Sequence, residues 1–108
     1  MCDCFMFTYK KLKELGFNIP NTYDKYSSEN FKEYLKDLRK LRKDKAQYSF
    51  FQSFCTEVNT PEKNDIAVSD KVIGLYAGNN KIYTYTEQRE REILVNSNDS
   101  YRFFRVNQ

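Results

Sequence analysis

Histidine is absent from this chain of 108 residues. A Ser-His-Asp triad, a Cys-His dyad and a histidine-containing zinc site are therefore excluded within the chain, because each of them requires an imidazole. Tryptophan is also absent, and the chain has only three glycines and two prolines. No apolar run approaches the roughly 18 residues of a membrane-spanning helix, so we expect no membrane span.

The cysteines are few and odd in number: Cys2, Cys4 and Cys55. The odd count predicts no disulfide framework, and the charged residues near the start of the chain predict no signal peptide. We therefore expect synthesis in a reducing cytoplasm. Cys2 and Cys4 are two positions apart and Cys55 is far from both, a spacing that matches no common zinc site. No metal and no other cofactor is therefore expected.

The overall composition is typical of a single globular domain over residues 1–108, with 40% hydrophobic and 31% charged residues. The net charge of +3 is too small to predict a nucleic-acid partner. The chain has nine phenylalanines and nine tyrosines. These side chains can fill a core, but tyrosine is also enriched at the centres of protein interfaces.

Apolar residues at helical spacing predict three helices in a helical half, residues 1–58. The first covers residues 4–15, with Asp3 as its N-cap and Gly16 as the residue that ends it. The second follows a cap at Ser27 or Ser28 and continues to about residue 43, and its outer face is mostly basic. That face indicates either solubility or an anionic partner. The third helix is short and lies within residues 46–55.

The pattern changes to β-type after a loop at residues 59–64, and this second half covers residues 59–108. A hairpin turn is expected at Gly78-Asn79-Asn80, because glycine and asparagine tolerate positive φ. The predicted architecture is α+β, with the N-terminal helices packed on one side of an antiparallel meander. The strands are expected at residues 65–69, 72–77, 81–86, 92–96 and 101–106.

Cys4 is the first candidate for chemistry, because the N-terminus of a helix favours a thiolate. A thiol hydrolase also needs a base, and this chain offers no imidazole. The alternative is that Cys4 is a small core residue on the buried face of its helix.

Three local patterns, in this order along the chain, resemble the NlpC/P60 group of papain-like cysteine peptidases. The helix start Asp3-Cys4, with Phe7 and the following leucines, Gly16 and Pro20, is similar to the D-C-x-x-F helix and L-G-x-x-x-P turn of that group. Residues 61–68 are similar to its P-G-D-(I/L)-V segment, and residues 72–81 to its H-V-G-I-Y-L-G-N-G-K strand and hairpin.

The resemblance implies a papain-like fold in which Cys4 stands at the position of the nucleophile. The family's catalytic histidine falls on Val72, and its third, orienting polar residue falls on Thr84. With Asp3, these two residues mark the positions of a former site. Since no base can be carried over, the resemblance implies a degenerate, non-catalytic form.

A closer resemblance is to small phage proteins of this fold that are encoded near tail genes. It rests on residues 91–95 and on the terminus Phe104-Arg105-Val106. It implies a non-catalytic tail or tail-tip component, made in the host cytoplasm and carried in the virion, that binds other virion proteins. Four strand tyrosines are the expected contact residues: Tyr76, Tyr83, Tyr85 and Tyr101.

Two alternatives remain open from the sequence. One is a cysteine-dependent peptidoglycan hydrolase that uses Cys4 with a base from another chain, or with a carboxylate or tyrosine in place of histidine. The other is a phage-encoded binder of a host protein or nucleic acid that uses the basic helix at residues 29–43. Nucleic acid is the less favoured partner, because the basic residues cluster on one helix.

Overall fold

Three helices precede a six-stranded sheet in the computed structural model, which describes residues 4–26, 28–95 and 100–107. The helices are α1 (Cys4–Glu14), α2 (Phe31–Lys43, after a 3₁₀ turn at Ser28–Asn30) and α3 (Ala46–Gln52). The strands are β1 (Cys55–Val58), β2 (Ile66–Val68), β3 (Ile73–Gly78), β4 (Lys81–Thr86), β5 (Arg89–Leu94) and β6 (Arg102–Val106). The predicted α+β class, with N-terminal helices packed on an antiparallel sheet, is confirmed.

The sheet has the strand order β1-β6-β2-β3-β4-β5, and every neighbouring pair is antiparallel. Strands β2 to β5 form the expected meander, but β6 returns to lie between β1 and β2. The prediction of a simple meander was therefore wrong. The backbone of β6 pairs with β1 on one edge and with β2 on the other, and its alternation places Phe104 and Val106 in the core.

The boundary between helical and β residues lies earlier than predicted. Residues 55–58 were assigned to the helical half, yet they form β1, in which Cys55 pairs with Val106. The apolar run at residues 46–55 has no alternation that separates a helix from a strand, and β1 has only four residues. The helix α3 accordingly ends at Gln52.

The first helix ends as its sequence predicts. Gly16 has φ of +88°, and the amides of Gly16 and Phe17 donate to the carbonyls of Lys13 and Leu12. This pair of hydrogen bonds is the Schellman arrangement that a C-terminal glycine favours. Asp3 and Ser27, two of the predicted caps, lie outside the described residues. Asn30 occupies the N-cap position of α2, and Ser28 begins the preceding 3₁₀ turn.

Two hairpin turns with positive φ define the outer strands. Asn79 and Asn80 have φ of 52° and 60°, so the predicted turn is confirmed. Glu87 and Gln88 form a second such turn, with φ of 52° and 65°. This turn was missed because glutamate and glutamine rarely adopt positive φ. As a result β5 starts at residue 89 rather than at 92, and residue 96 lies outside the described residues.

The core lies between the helices and one face of the sheet. Helix α1 packs on β3 and β4, α3 packs on β1, and α2 packs on α3. Phe51 connects the layers, since its ring centroid lies 5.9 Å from that of Phe5 and 6.5 Å from that of Phe104. Gly74 lets β3 and β4 approach, because a Cβ there would lie 2.6 Å from the Tyr83 carbonyl oxygen. None of the helices within the described ranges has both the length and the apolar character to cross a bilayer.

An ion pair holds β6 to the start of β2. Asp65 is a buried carboxylate with 5% side-chain exposure, and the Arg105 guanidinium donates to it through Nε at 3.0 Å and Nη2 at 2.8 Å. The backbone amide of Glu62 also donates to Asp65, at 2.7 Å. Asp65 is therefore a structural anchor in which both carboxylate oxygens have partners.

Replacing Asp65 by asparagine should lower the free energy of unfolding by about 1–3 kcal/mol, because the buried side chain loses charge-assisted hydrogen bonds from Arg105 and from the Glu62 amide. Urea denaturation measures this change. The matched control is Glu57→Gln, since Arg102 on the same strand binds Glu57 with two hydrogen bonds of 3.0 and 2.7 Å, but at an exposed position. The control should cost less than about 1 kcal/mol. Equal costs for the two variants would contradict the anchoring role of Asp65.

Candidate functional site

The Cys4 thiol lies at the start of α1 and is completely buried, with 0% exposure. Arg42, in the last turn of α2, donates from Nη2 to Cys4 Sγ over 3.5 Å. Arg42 was not singled out from the sequence, because it is one of several basic residues in a run that indicates a solvated face. Only the fold reveals that this one turns inward, toward α1.

Val72 lies in the tight turn between β2 and β3. The Ser69 amide donates to the Val72 carbonyl at 2.9 Å, and the Val72 amide donates to Ser69 Oγ at 3.0 Å. The same turn is held against α3 by Asp70, which accepts from Tyr48 Oη at 2.8 Å and pairs with Lys45 at 3.3 Å. Val72 offers only an isopropyl group, which cannot exchange a proton.

Thr84 is fully buried, and its hydroxyl donates to the Ile73 carbonyl at 2.7 Å. The Thr8 hydroxyl lies within hydrogen-bond distance of two carbonyl oxygens, that of Ile73 at 3.2 Å and that of Cys4 at 2.8 Å. A short series of contacts therefore connects the first turn of α1 to β3 and β4. Thr84 reaches the backbone of β3, and Thr8 contacts both β3 and the Cys4 carbonyl.

These contacts hold structure together rather than move protons. Two hydroxyls donate to backbone carbonyls, and a guanidinium donates to the sulfur. None of these three groups accepts a proton from the Cys4 thiol at neutral pH. Asp3, the remaining candidate of this constellation, lies outside the described residues.

The four candidate tyrosines fall into two separate clusters. Tyr83 and Tyr85 pack on Phe7 of α1, at ring-centroid distances of 5.4 and 5.9 Å. Tyr76 contacts Phe103 edge-on at 5.8 Å, and Tyr101 stacks on the same ring at 6.4 Å.

The two clusters lie on opposite faces of the sheet. Tyr83 pairs with Leu75 and Tyr76 pairs with Ile82, and side chains at successive positions alternate in direction. The Tyr83–Tyr85 cluster therefore supports α1, whereas the Tyr76–Phe103–Tyr101 cluster lies on the face away from the helices. Both clusters are half-buried, and α1 packs on the first of them through Phe7.

Cys55 is a buried thiol at the start of β1. Burial, with a smaller contribution from the charge of Asp65, raises its pKa from 9.0 to about 12. A neutral buried thiol is neither a nucleophile nor a metal ligand. Among the described residues no group of cysteine, aspartate and glutamate side chains could hold a metal ion, and Cys2 lies outside them.

A surface cleft of about 320 Å³ lies between α2 and the segment that precedes it. Its lining includes Tyr26 and Asp37, which are hydrogen bonded to each other, and Lys40. Burial and the bond to Asp37 raise the pKa of the Tyr26 hydroxyl. The lining contains neither Cys4 nor Thr84, so this cleft is separate from the constellation around Cys4.

No protein-family model matches this chain, and comparison with curated proteins and with solved structures found no match.

Substituting Thr84 by valine, which keeps the shape and removes the hydroxyl, should lower the free energy of unfolding by about 1–2 kcal/mol. The reason is that the buried Ile73 carbonyl loses its shorter hydrogen bond. The control is Thr56→Val, because the Thr56 hydroxyl bonds Asn107 at an exposed position. That change should stay within about 0.5 kcal/mol. A Thr84→Val protein as stable as the parent would show that this hydroxyl does not join β3 to β4.

The raised pKa of Cys55 predicts a pH dependence of stability. A thiol whose pKa is about 12 when folded and 9.0 when unfolded stabilises the fold fully below pH 9.0, and this contribution is lost as the pH rises toward about 12. The unfolding free energy of Cys55→Ala should therefore fall less steeply above pH 9.0 than that of the parent. Tyrosines titrate equally in both proteins, so the difference between the two curves isolates Cys55. If the unfolding free energies of the two proteins fall in parallel above pH 9.0, the raised pKa of Cys55 is contradicted.

Proposed function

We propose that this chain is a non-catalytic structural or assembly protein of a phage particle, a tail or tail-tip component built on a degenerate NlpC/P60-like, papain-like fold. The observation that carries the proposal is the state of Cys4, whose thiol has 0% exposure. A second support is Val72 at the position where the resemblance expects a histidine. A substrate carbonyl has no access to this sulfur, and Val72 supplies no base.

The energetic argument favours a binding role over weak catalysis. In a nucleophile–base unit, removal of one member lowers the rate by several orders of magnitude, because the members act together. Here the nucleophile position is buried and the base position is apolar. The fold can still serve as a rigid scaffold that presents a surface to a partner.

The terminal motif that contributes to the phage resemblance has a structural explanation. Phe104 and Val106 are buried in the core, and Arg105 pairs with Asp65. The motif therefore supports the proposed fold more directly than the proposed partner. The phage context depends on the resemblance as a whole, including synthesis in a host cytoplasm and incorporation into the virion.

The proposed contact surface is the cluster of Tyr76, Phe103 and Tyr101 on the face of the sheet away from the helices. Half-buried aromatic rings of this kind supply large contact areas at low entropic cost when a protein partner covers them. Tyr83 and Tyr85 are assigned to the support of α1 instead, because Phe7 packs on both of them.

The test is incorporation into particles. Purified particles of the encoding phage should contain the chain in a fixed ratio to tail proteins, by quantitative mass spectrometry. Tyr101→Ala should reduce that ratio, whereas Tyr85→Ala at the other cluster, in a variant that still folds, should not. A chain found only free in the lysate would contradict the proposal.

One observation favours the second candidate, a cysteine-dependent peptidoglycan hydrolase. The Arg42 guanidinium lies 3.5 Å from Cys4 Sγ, and neighbouring cations in general stabilise thiolates. This candidate requires release of peptidoglycan fragments by the parent protein and loss of that release in Cys4→Ser. The proposed function predicts equal, background-level release by both proteins at high concentration.

A further inference from the structure

The outer surface of α2 carries a row of four cations that follows the helix axis. We call it the α2 cation stripe, and it consists of Lys32, Lys36, Arg39 and Lys43. All four side chains are exposed. Successive members are separated by four, three and four positions, so they follow one narrow line along the helix. The buried side of α2 lies opposite: Tyr34, Leu38 and Leu41.

The charges of the stripe have no partner among the residues that the structure describes. None of its four members has an ion pair or hydrogen bond to any residue of the described ranges. Elsewhere Lys13, Lys45 and Arg102 do pair with carboxylates. The stripe is therefore an unsatisfied electrostatic surface rather than part of a salt-bridge network.

The positive charge of the whole chain is concentrated on this helix. Helix α2 has six basic and two acidic side chains, hence a net charge of +4, whereas the whole chain has +3. The remainder of the chain is thus at −1. A partner that approaches α2 experiences a directed field that the rest of the surface does not supply.

The borders of the stripe decide which polyanion it fits. On one side the helix presents Phe31, which is 49% exposed, and half-buried Leu35. On the other side it presents exposed Lys40 and Glu33, whereas Asp37 is half-buried and accepts a hydrogen bond from Tyr26. A partner whose carboxylates form one narrow row with an apolar edge would place its charges on the stripe and its apolar edge against Phe31 and Leu35. The phosphates of a nucleic acid offer no apolar edge to these two side chains.

We propose that the α2 cation stripe docks an acidic α-helix of a protein partner, whose carboxylates repeat at the same three-and-four spacing. The inference deepens the proposed function, on whose assignment of a protein-binding role it rests. Spacings of three and four residues are those by which two helices lie side by side with their side chains in register. Charge pairing across such a contact supplies orientation and a fast, salt-sensitive association.

The test uses a labelled synthetic helical peptide of about 18 residues, with glutamates at three-and-four spacing, alanine and glutamine elsewhere and two leucines beside the glutamate row. A second peptide has the same composition in scrambled order. Fluorescence anisotropy at low salt should give at least about fivefold tighter binding to the spaced peptide, because only that peptide aligns all its carboxylates with the stripe.

The variant reverses the four stripe charges to glutamate, and it should weaken binding at least about tenfold. The matched control reverses four exposed lysines outside α2, with the same change in net charge: Lys10, Lys63, Lys71 and Lys81. It should change binding less than about threefold. Circular dichroism verifies folding, and the double variant Lys36→Glu/Arg39→Glu replaces the quadruple variant if the latter does not fold.

Equal binding of the spaced and scrambled peptides would overturn the proposal, as would equal weakening by the control variant. Tighter binding of a DNA duplex of about 20 base pairs, or of phosphatidylserine vesicles, would assign the stripe to another class of partner. Failure of this inference can be distinguished from failure of the proposed function. If the protein is incorporated into particles but does not bind the spaced peptide preferentially, only this inference is contradicted. If it binds the peptide but is never found in particles, the proposed phage function is contradicted.

Discussion

The carbonyl of Ile73 is the point on which the arrangement of helix and sheet depends. It accepts a hydrogen bond from the Thr84 hydroxyl on β4, and Thr8 Oγ1 on α1 lies 3.2 Å from it while also lying 2.8 Å from the Cys4 carbonyl oxygen. At this point helix α1 packs across β3 and β4. Because Cys4 begins that helix, the packing of α1 also places its thiol in the core.

This constraint supports the proposed binding role over catalysis. A nucleophile must be exposed to its substrate and adjacent to a base. Cys4 is buried, Val72 is apolar, and Thr84 uses its proton on a backbone carbonyl. The contact surfaces that we propose lie elsewhere, on the aromatic cluster around Phe103 and on the α2 cation stripe. The stripe lies on α2 and Phe103 lies on β6, and side chains on regular elements lose less conformational entropy on binding.

The elements that the sequence predicted well are those with strong local signals. The periodicity of α1, the ending at Gly16 and the hairpin at Asn79 and Asn80 depend on residues that are adjacent in sequence. The insertion of β6 between β1 and β2 does not, because it is decided by pairings such as Cys55 with Val106 across half the chain. The turn at Glu87 and Gln88 was missed for a related reason: the strands on either side impose a conformation that these residues do not favour.

For the candidate site, too, the sequence predicted which residues to consider but not the long-range packing around them. Of the residues placed by the resemblance, Cys4 begins α1, Val72 lies in the turn before β3 and Thr84 lies on β4, and the sequence did not reveal the burial of Cys4 and Thr84. Arg42 was hidden within a basic run, and only tertiary packing distinguishes it from the solvent-facing cations of the stripe. The Asp65–Arg105 anchor joins residues 40 positions apart, for which a single sequence contains no signal.

The measurement that tests the central claim most directly is the alkylation rate of Cys4 in the folded protein as a function of pH, resolved peptide by peptide with mass spectrometry. Cys55 is the internal reference for a buried thiol. The account predicts that Cys4 stays unmodified as long as the protein is folded, and that both thiols react together when urea unfolds it. Rapid modification of Cys4 below about pH 7, with Cys55 still protected, would contradict the account and make Cys4 an accessible, activated thiolate.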